Sequence, residues 1–175
     1  MMIIHKLIYN INMIIVKKSG YLSYKNLKFK CALGKKGIKN KLREGDKITP
    51  KGIFKTGNLY YRHDQIKNLR TQLKKIKITK NLGWCDNPNH KYYNRPIRLP
   101  FEASHEKLYR KDRIYDLVLV INYNIQPTKK NKGSAIFLHI AKKNYVPTNG
   151  CVAIKKNDFL KLLKILRKNT KIRLN

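Results

Sequence analysis

Three short apolar runs govern what this chain can fold into. Leu117–Ile121 is wholly apolar, Ala135–Ile140 is apolar but for His139, and Val152–Ile154 resumes directly after Cys151. β-branched and aromatic content makes each run a strand, and the unbroken apolar character of Leu117–Ile121 marks a central one. Only a polar loop, Asn122–Lys132, separates the first two, so they are expected to pair as neighbours. Between Ile140 and Cys151 lie Val146-Pro147 and Asn149-Gly150, dipeptides that turn or kink the chain before Cys151. Two strands joined by such a loop can bring His139 and Cys151 face to face.

That pairing has a chemical reading. A thiol at the end of a tight turn, beside an imidazole, is equipped as a nucleophile: the base takes its proton or holds the thiolate as an ion pair. Gly150 lets the backbone approach a substrate carbonyl without a Cβ in the way. The amides of Gly150 and Cys151 are then candidate donors to a developing oxyanion. The plainer reading is a core histidine and a small buried cysteine, which is what such residues usually are. The turn residues directly before Cys151 move the weight towards catalysis.

The remaining segments support a mostly β fold of one domain. At 175 residues the chain is long enough for one substantial core and short for two. Ile14–Val16 reads as a first strand, Tyr21–Ala32 as a hairpin arm or a pair of short strands, Ile53–Arg62 as a strand and Thr170–Leu174 as a last strand. Two short helices are expected, over Gln65–Leu73 and over Ala103–Arg110 with Ser104 near its cap. A longer one is expected over Phe159–Lys168, capped by Asn157-Asp158 and packed on the sheet through a broad apolar stripe. The loop from Gly83 to Pro96 holds Trp84, several tyrosines and Arg95; it either lines a cleft or packs as a satellite cluster. Arg95 is a candidate to grip a substrate carboxylate. Glu44 and Asp46 suit a plain surface turn.

Charge bounds the partners. There are 41 Lys and Arg against 9 Asp and Glu, a net charge of +32. Such an excess points to polyanions, but the lysines are spread along the chain and no nucleic-acid-binding motif stands out. No dedicated nucleic-acid partner is expected; a basic surface would draw the chain towards anionic envelope polymers. Three cysteines, Cys31, Cys85 and Cys151, leave at least one thiol free if all pairing is internal. A Cys31–Cys85 bridge and two reduced, partly buried thiols are both open. Residues 1–16 are too short and too polar to span a bilayer and lack a clean export signal.

The segments GSAIFLHI and PTNGCVAI together resemble the active-site region of the L,D-transpeptidase catalytic domain. His139 matches the family's strand histidine, and Thr148, Asn149, Gly150 and Cys151 match its Ser/Thr-x-Gly-Cys turn. Thr49-Pro50-Lys51-Gly52-Ile53-Phe54 is similar to the family's Thr-Pro-x-Gly-x-Phe segment. Asn149 stands where many members carry histidine, and Ala153 where many carry a substrate-binding arginine. The resemblance implies a curved, sandwich-like or barrel-like β fold with a C-terminal helix, over residues 13–175, with residues 1–12 as an N-terminal extension. It implies a cysteine enzyme that forms a thioester on Cys151 and cross-links peptidoglycan stem peptides, with His139 as base. The supporting candidates are Gly150, Thr148, Asn149, Ser134 and Arg95. No metal or organic cofactor is required, and the periplasm or cell envelope is the expected site of action. Water as acceptor would make the enzyme a carboxypeptidase or endopeptidase. A basic binding module with an inert Cys151 is the alternative outside enzymes.

Overall fold

The structure, a computed structural model, describes residues 12–175; the reading of residues 1–11 as an extension lies outside the described residues. Three strands open it as an antiparallel meander: β1 (Met13–Lys17), β2 (Tyr21–Tyr24) and β3 (Leu27–Ala32). A parallel pair follows, β4 (Ile38–Lys39) and β5 (Thr49–Pro50). Next come the long β6 (Gly52–Tyr61) and the short β7 (Lys75–Lys77). β8 (Leu82–Cys85), β9 (Pro96–Arg98) and β10 (His105–Lys107) form a separate small sheet in the order β10-β8-β9. The chain finishes with β11 (Leu117–Ile121), β12 (Phe137–Ile140), β13 (Val152–Ile154), α1 (Lys156–Ile165) and β14 (Lys171–Leu174).

The main sheet runs β11-β12-β13-β3-β2-β1-β14-β6-β7, and β6 also pairs with β11. β6 reaches both partners because it is long. Its residues 52–55 ladder with β14, and residues from 56 onward ladder with β11 after a register shift between Leu119 and Ile121. The sheet therefore closes into a ring, with β7 appended beside β6. A bulge of this kind bends and twists a strand, which closure requires.

Side-chain alternation sorts the apolar residues into two cores. Leu117, Leu119, Ile121, Leu138, Val152 and Ile154 point into the ring, where they meet Phe159, Leu162 and Leu163 of α1. Val118, Val120 and Phe137 point outwards and pack with Tyr60, Trp84 and Tyr115 beneath the small sheet. β11 is buried on both faces, which is why its sequence shows no polar alternation.

The fold is mostly β, a curved, barrel-like sheet with a C-terminal helix, as the sequence implied. Local assignments differ in four places. Gly83–Cys85, read as the start of a loop, is strand β8, extended by its ladders with β9 and β10. Gln65–Leu73 is not helical: its apolar residues recur with helical spacing, but Asn68 adopts φ +51°, which breaks a right-handed helix. Ala103–Arg110 carries β10 instead of a helix, since His105–Lys107 ladders against Gly83–Cys85. The terminal helix starts earlier and ends earlier than expected. Lys155 is its N-cap without a side-chain bond, Asp158 sits in the first turn, and Leu166 turns extended to lead into β14.

Candidate active site

β12 and β13 are parallel neighbours, with His139 opposite Ala153 and Leu138 opposite Val152. Continuing that register puts Cys151 opposite Phe137, and the Phe137 N–H donates to Cys151 Sγ at 3.4 Å. Opposed residues in a ladder share a face, and residues two apart on a strand do too. Phe137, His139, Cys151 and Ala153 therefore all face outwards, away from the ring interior. Strand rise and spacing set the His139 and Cys151 Cα atoms roughly 8 Å apart on that face. Ala153, with only a methyl group, leaves the space beside the imidazole open.

Parallel neighbours need a connection that recrosses the sheet. Here that connection, residues 141–151, forms the mouth of the site. A short 3-10 turn at Lys143–Tyr145 starts it. Thr148 then ties it down: its N–H donates to Leu33 O (2.9 Å), and its carbonyl accepts from Lys35 N (3.0 Å). Thr148 Oγ1 donates to Cys151 O (2.6 Å) and accepts from Gly150 N (3.1 Å), so the hydroxyl staples the turn that presents the thiol. Gly150 adopts φ +140°, and a Cβ there would stand 3.0 Å from Ile48 O. Only glycine suits that position.

These elements border a cleft of about 560 Å³. Ser134, His139, Thr148, Asn149, Gly150 and Cys151 all line it. Ser134 is buried, and among the described residues its hydroxyl has no hydrogen-bond partner. Arg95 does not line it. Asn94 turns inwards, where its Oδ1 accepts from Trp84 Nε1 and Ala135 N, both at 3.0 Å. The following residue turns out, and Arg95 is exposed beside Pro88, His90 and Thr128 in a separate depression. The guanidinium in the cleft is Arg110, clamped to Asp112 by two bonds of 2.9 and 2.8 Å. Trp84 is a core residue, edge-on to Phe137 at 5.2 Å, and supports the site from beneath.

The rim contains one group that sequence reasoning passed over, Lys41, beside two that it read as a surface turn, Glu44 and Asp46. Lys41 and Glu44 line the cleft, and the loop carrying them is folded around Asp46. Asp46 is buried and no part of a plain surface turn. Its carboxylate accepts from Lys41 Nζ (2.5 Å) and from the N–H groups of Leu42 (2.8 Å), Arg43 (3.3 Å) and Ile48 (3.0 Å). Burial alone would raise its pKa, but the ammonium and the three amides outweigh burial and hold it below its ordinary value. Three backbone amides converging on one residue two to four positions away leave no periodicity for sequence to reveal.

Electrostatics set the resting state of the pair. Burial pushes the Cys151 thiol up to about 12, against the opposing Phe137 N–H. Burial also pulls His139 down to about 4, although the Ile140 carbonyl, 2.9 Å from Nδ1, works the other way. Both groups are thus neutral at pH 7, and the ion-pair form is not the resting one. The Ile140 bond engages Nδ1 and leaves Nε2 as the nitrogen able to accept a proton. All three cysteines are free thiols: Cys31 lies in β3 and Cys85 in the small sheet, so no bridge joins them.

The depressed imidazole makes stability depend on pH. An unfolded histidine protonates near 6.5 and the folded one near 4, so the unfolded chain binds more protons between those values. Stability is expected to be full above about pH 6.5 and to fall by roughly 3 kcal/mol as pH drops to 4. Urea midpoints measured across that range should show the loss, and His139→Gln should flatten it. An equal slope in both proteins would contradict the assignment.

Among the described residues no group of three or more His, Cys, Asp or Glu side chains is placed to hold a metal ion. No described helix is long and apolar enough to cross a membrane. No curated protein matches the sequence. The chain is similar in structure to the helical cell-shape-determining protein Pgp2 of Campylobacter jejuni, crystallised as its K307A mutant. The TM-score is 0.48 at 14% identity, over 92% of this chain and 45% of that one. The chain thus spans less than half of that solved chain. The model of the L,D-transpeptidase catalytic domain matches residues 12–174, nearly the whole chain. A match of that extent, over the ring and over the turn bearing Cys151, shows that this chain belongs to the YkuD family of L,D-transpeptidase catalytic domains.

Proposed function

We propose that this chain is a cysteine-dependent L,D-transpeptidase acting on peptidoglycan stem peptides in the cell envelope. The observation that carries the reading is the placement of His139 and Cys151 on one face of adjacent strands, both bordering a single cleft. Cys151 Sγ attacks the carbonyl of the bond between an L-centre and a D-residue. As the S–C bond forms, His139 Nε2 takes the thiol proton. The C–N bond then breaks, and His139 returns the proton to the leaving amine, which departs as a D-amino acid. An amine of a second stem attacks the thioester; its N–H proton passes through His139 to the departing sulfur, and a new amide is left behind.

A neutral resting pair suits this route. The thiol gives up its proton during attack, so the enzyme stores no exposed thiolate. Gly150 N is engaged by Thr148 Oγ1, which favours the Cys151 amide as the oxyanion donor. Thr148 shapes the turn, while Ser134 and Asn149 are the polar groups we assign to substrate. Arg95 lines a separate depression and is not assigned that role.

Intact-protein mass spectrometry after exposure to a tetrapeptide stem or a carbapenem tests the reading. The expected result is a stoichiometric adduct that maps to Cys151. No adduct, or an adduct on Cys31 or Cys85 alone, would refute it. Muropeptide products then identify the acceptor, because an amine gives cross-linked dimers and water gives only trimmed stems.

A further inference from the structure

Tyr115 is the least expected member of the cleft lining. It is buried, it lies just ahead of β11, and its ring stands edge-on to His139, with centroids 5.2 Å apart and planes at 78°. The same ring meets Phe137 edge-on at 6.0 Å. Its hydroxyl donates to Glu106 Oε1 on β10 at 3.0 Å. The Arg110 guanidinium, itself clamped by Asp112, lies 5.3 Å from the ring centroid. The backbone beside it is tied to β12, since Ile140 N donates to Ile114 O at 3.0 Å. Burial, with Cys151 and Glu106 adding to it, raises the phenol well above 10, so the hydroxyl stays protonated and remains a donor.

His139 needs such a support. Among the described residues its Nδ1 has one partner, the carbonyl of the next residue, and no carboxylate bonds the ring. A single bond to its own backbone leaves the imidazole free to swing about that contact. A proton acceptor that swings loses rate, because transfer demands placement to within a fraction of an ångström. The Tyr115 ring blocks that swing, and Tyr115 is in turn held by a residue from a different sheet.

We propose that Tyr115, tethered by Glu106, is the positioning residue for His139, fixing the imidazole with Nδ1 on the Ile140 carbonyl and Nε2 towards Cys151. The proposal rests on the reading of His139 as the base. The link is a chain of three: the Glu106 carboxylate orients the phenol, the phenol ring orients the imidazole, and the imidazole serves the thiol. Tyr115 touches no reacting atom in this scheme. Its worth is geometric, and it should appear in the rate of the bond-forming step and not in binding.

A mutant cycle on the full chain tests it, with a carbapenem as acylating probe and the limiting acylation rate read by intact mass. Tyr115→Phe keeps the ring and loses the tether; Glu106→Ala loses the tether from the other side. Each is expected to lower the limiting rate about tenfold. Tyr115→Phe should leave the half-saturating concentration within about twofold. The double variant should be no slower than either single, because both remove one hydrogen bond. Glu106→Gln, which keeps an acceptor oxygen, should recover most of the loss. Multiplying losses in the double variant, or either single at the wild-type rate, would overturn the proposal.

A second readout does not depend on activity. The His139 ring resonance, titrated by NMR, should move in Tyr115→Phe and Glu106→Ala alike, its midpoint shifting from near 4 towards 6.5 as a loosened ring reaches water. The groups that face this imidazole are Tyr115, Arg110 and Asp112 from the segment before β11 and Lys142 from its own loop, and Cys151 from the turn before β13 lines the same cleft. An unchanged midpoint in both variants would count against the proposal. If the wild-type chain forms no adduct but the resonance still responds, the assignment of His139 as base fails while its positioning by Tyr115 stands.

Discussion

Cys151→Ala and His139→Gln are each expected to lower acylation by roughly 10⁴-fold or more, and the double variant to be little worse than either single. In the proposed mechanism nucleophile and base act as one unit, so removing one strands the other. With the thiol pushed up to about 12, only a minute fraction of Cys151 is thiolate at pH 7, and attack depends on transfer to the imidazole. His139→Gln keeps a polar side chain of similar reach but cannot take up a proton. Acylation should therefore recover in that variant as pH rises, about tenfold per unit, because hydroxide then supplies the thiolate. Single-turnover rates from pH 6 to 10 check this. A His139→Gln variant that acylates at the wild-type rate at pH 7 would remove the imidazole from the mechanism.

Asp46→Ala should be the most destabilising single change at the rim, at about 3–5 kcal/mol. The side chains of Lys41 and Asp46 are 2% and 5% exposed, so the pair is desolvated on both sides. Deleting the carboxylate leaves a buried ammonium without its counter-charge, and it strips partners from Leu42, Arg43 and Ile48 N–H. The loop it organises carries Lys41, Glu44 and Gly45 along the cleft edge, so surviving folded molecules should also bind substrate more weakly. Removing both charges, as in Lys41→Met/Asp46→Leu, should cost less than Asp46→Ala alone, because no stranded charge remains. Denaturant unfolding of the three variants gives the comparison. If Asp46→Ala unfolds within 1 kcal/mol of the wild type, the buried pair is not what holds the loop.

How much was readable beforehand follows from where each signal resides. β11, β12 and β13 were visible because their apolar runs are local and their burial is on both faces. His139 and Cys151 were visible because the turn residues that deliver the thiol adjoin it in sequence. The loop between them suggested that the two side chains can face each other, but the parallel pairing that brings this about was not legible, since nothing in either strand names its neighbour. β10 was misread for a related reason: His-Glu-Lys has no strand character of its own and is extended only because β8 offers a ladder. In Gln65–Leu73, Ile66, Leu69 and Leu73 recur as a helix face would, yet they bury themselves along an irregular path past the left-handed Asn68. Tyr115 and Glu106 were missed because their partnership joins the segment before β11 to another sheet. Arg95 was overread: a cation in an aromatic loop looks functional until the inward turn of Asn94 assigns it to the outside.

The ring is joined where β1 meets β14, with Met13 beside Lys171 and Val16 beside Leu174. Nearly the whole described chain lies between these partners, so among the described residues the seam pairs the first strand with the last. During synthesis, β1 and β6 must wait with bare edges until residues 171–174 leave the ribosome, and barrel closure is a late, long-range event. A nascent chain stalled short of Lys171 would expose two sticky borders at once, and such fragments should be prime clients for chaperones or for aggregation.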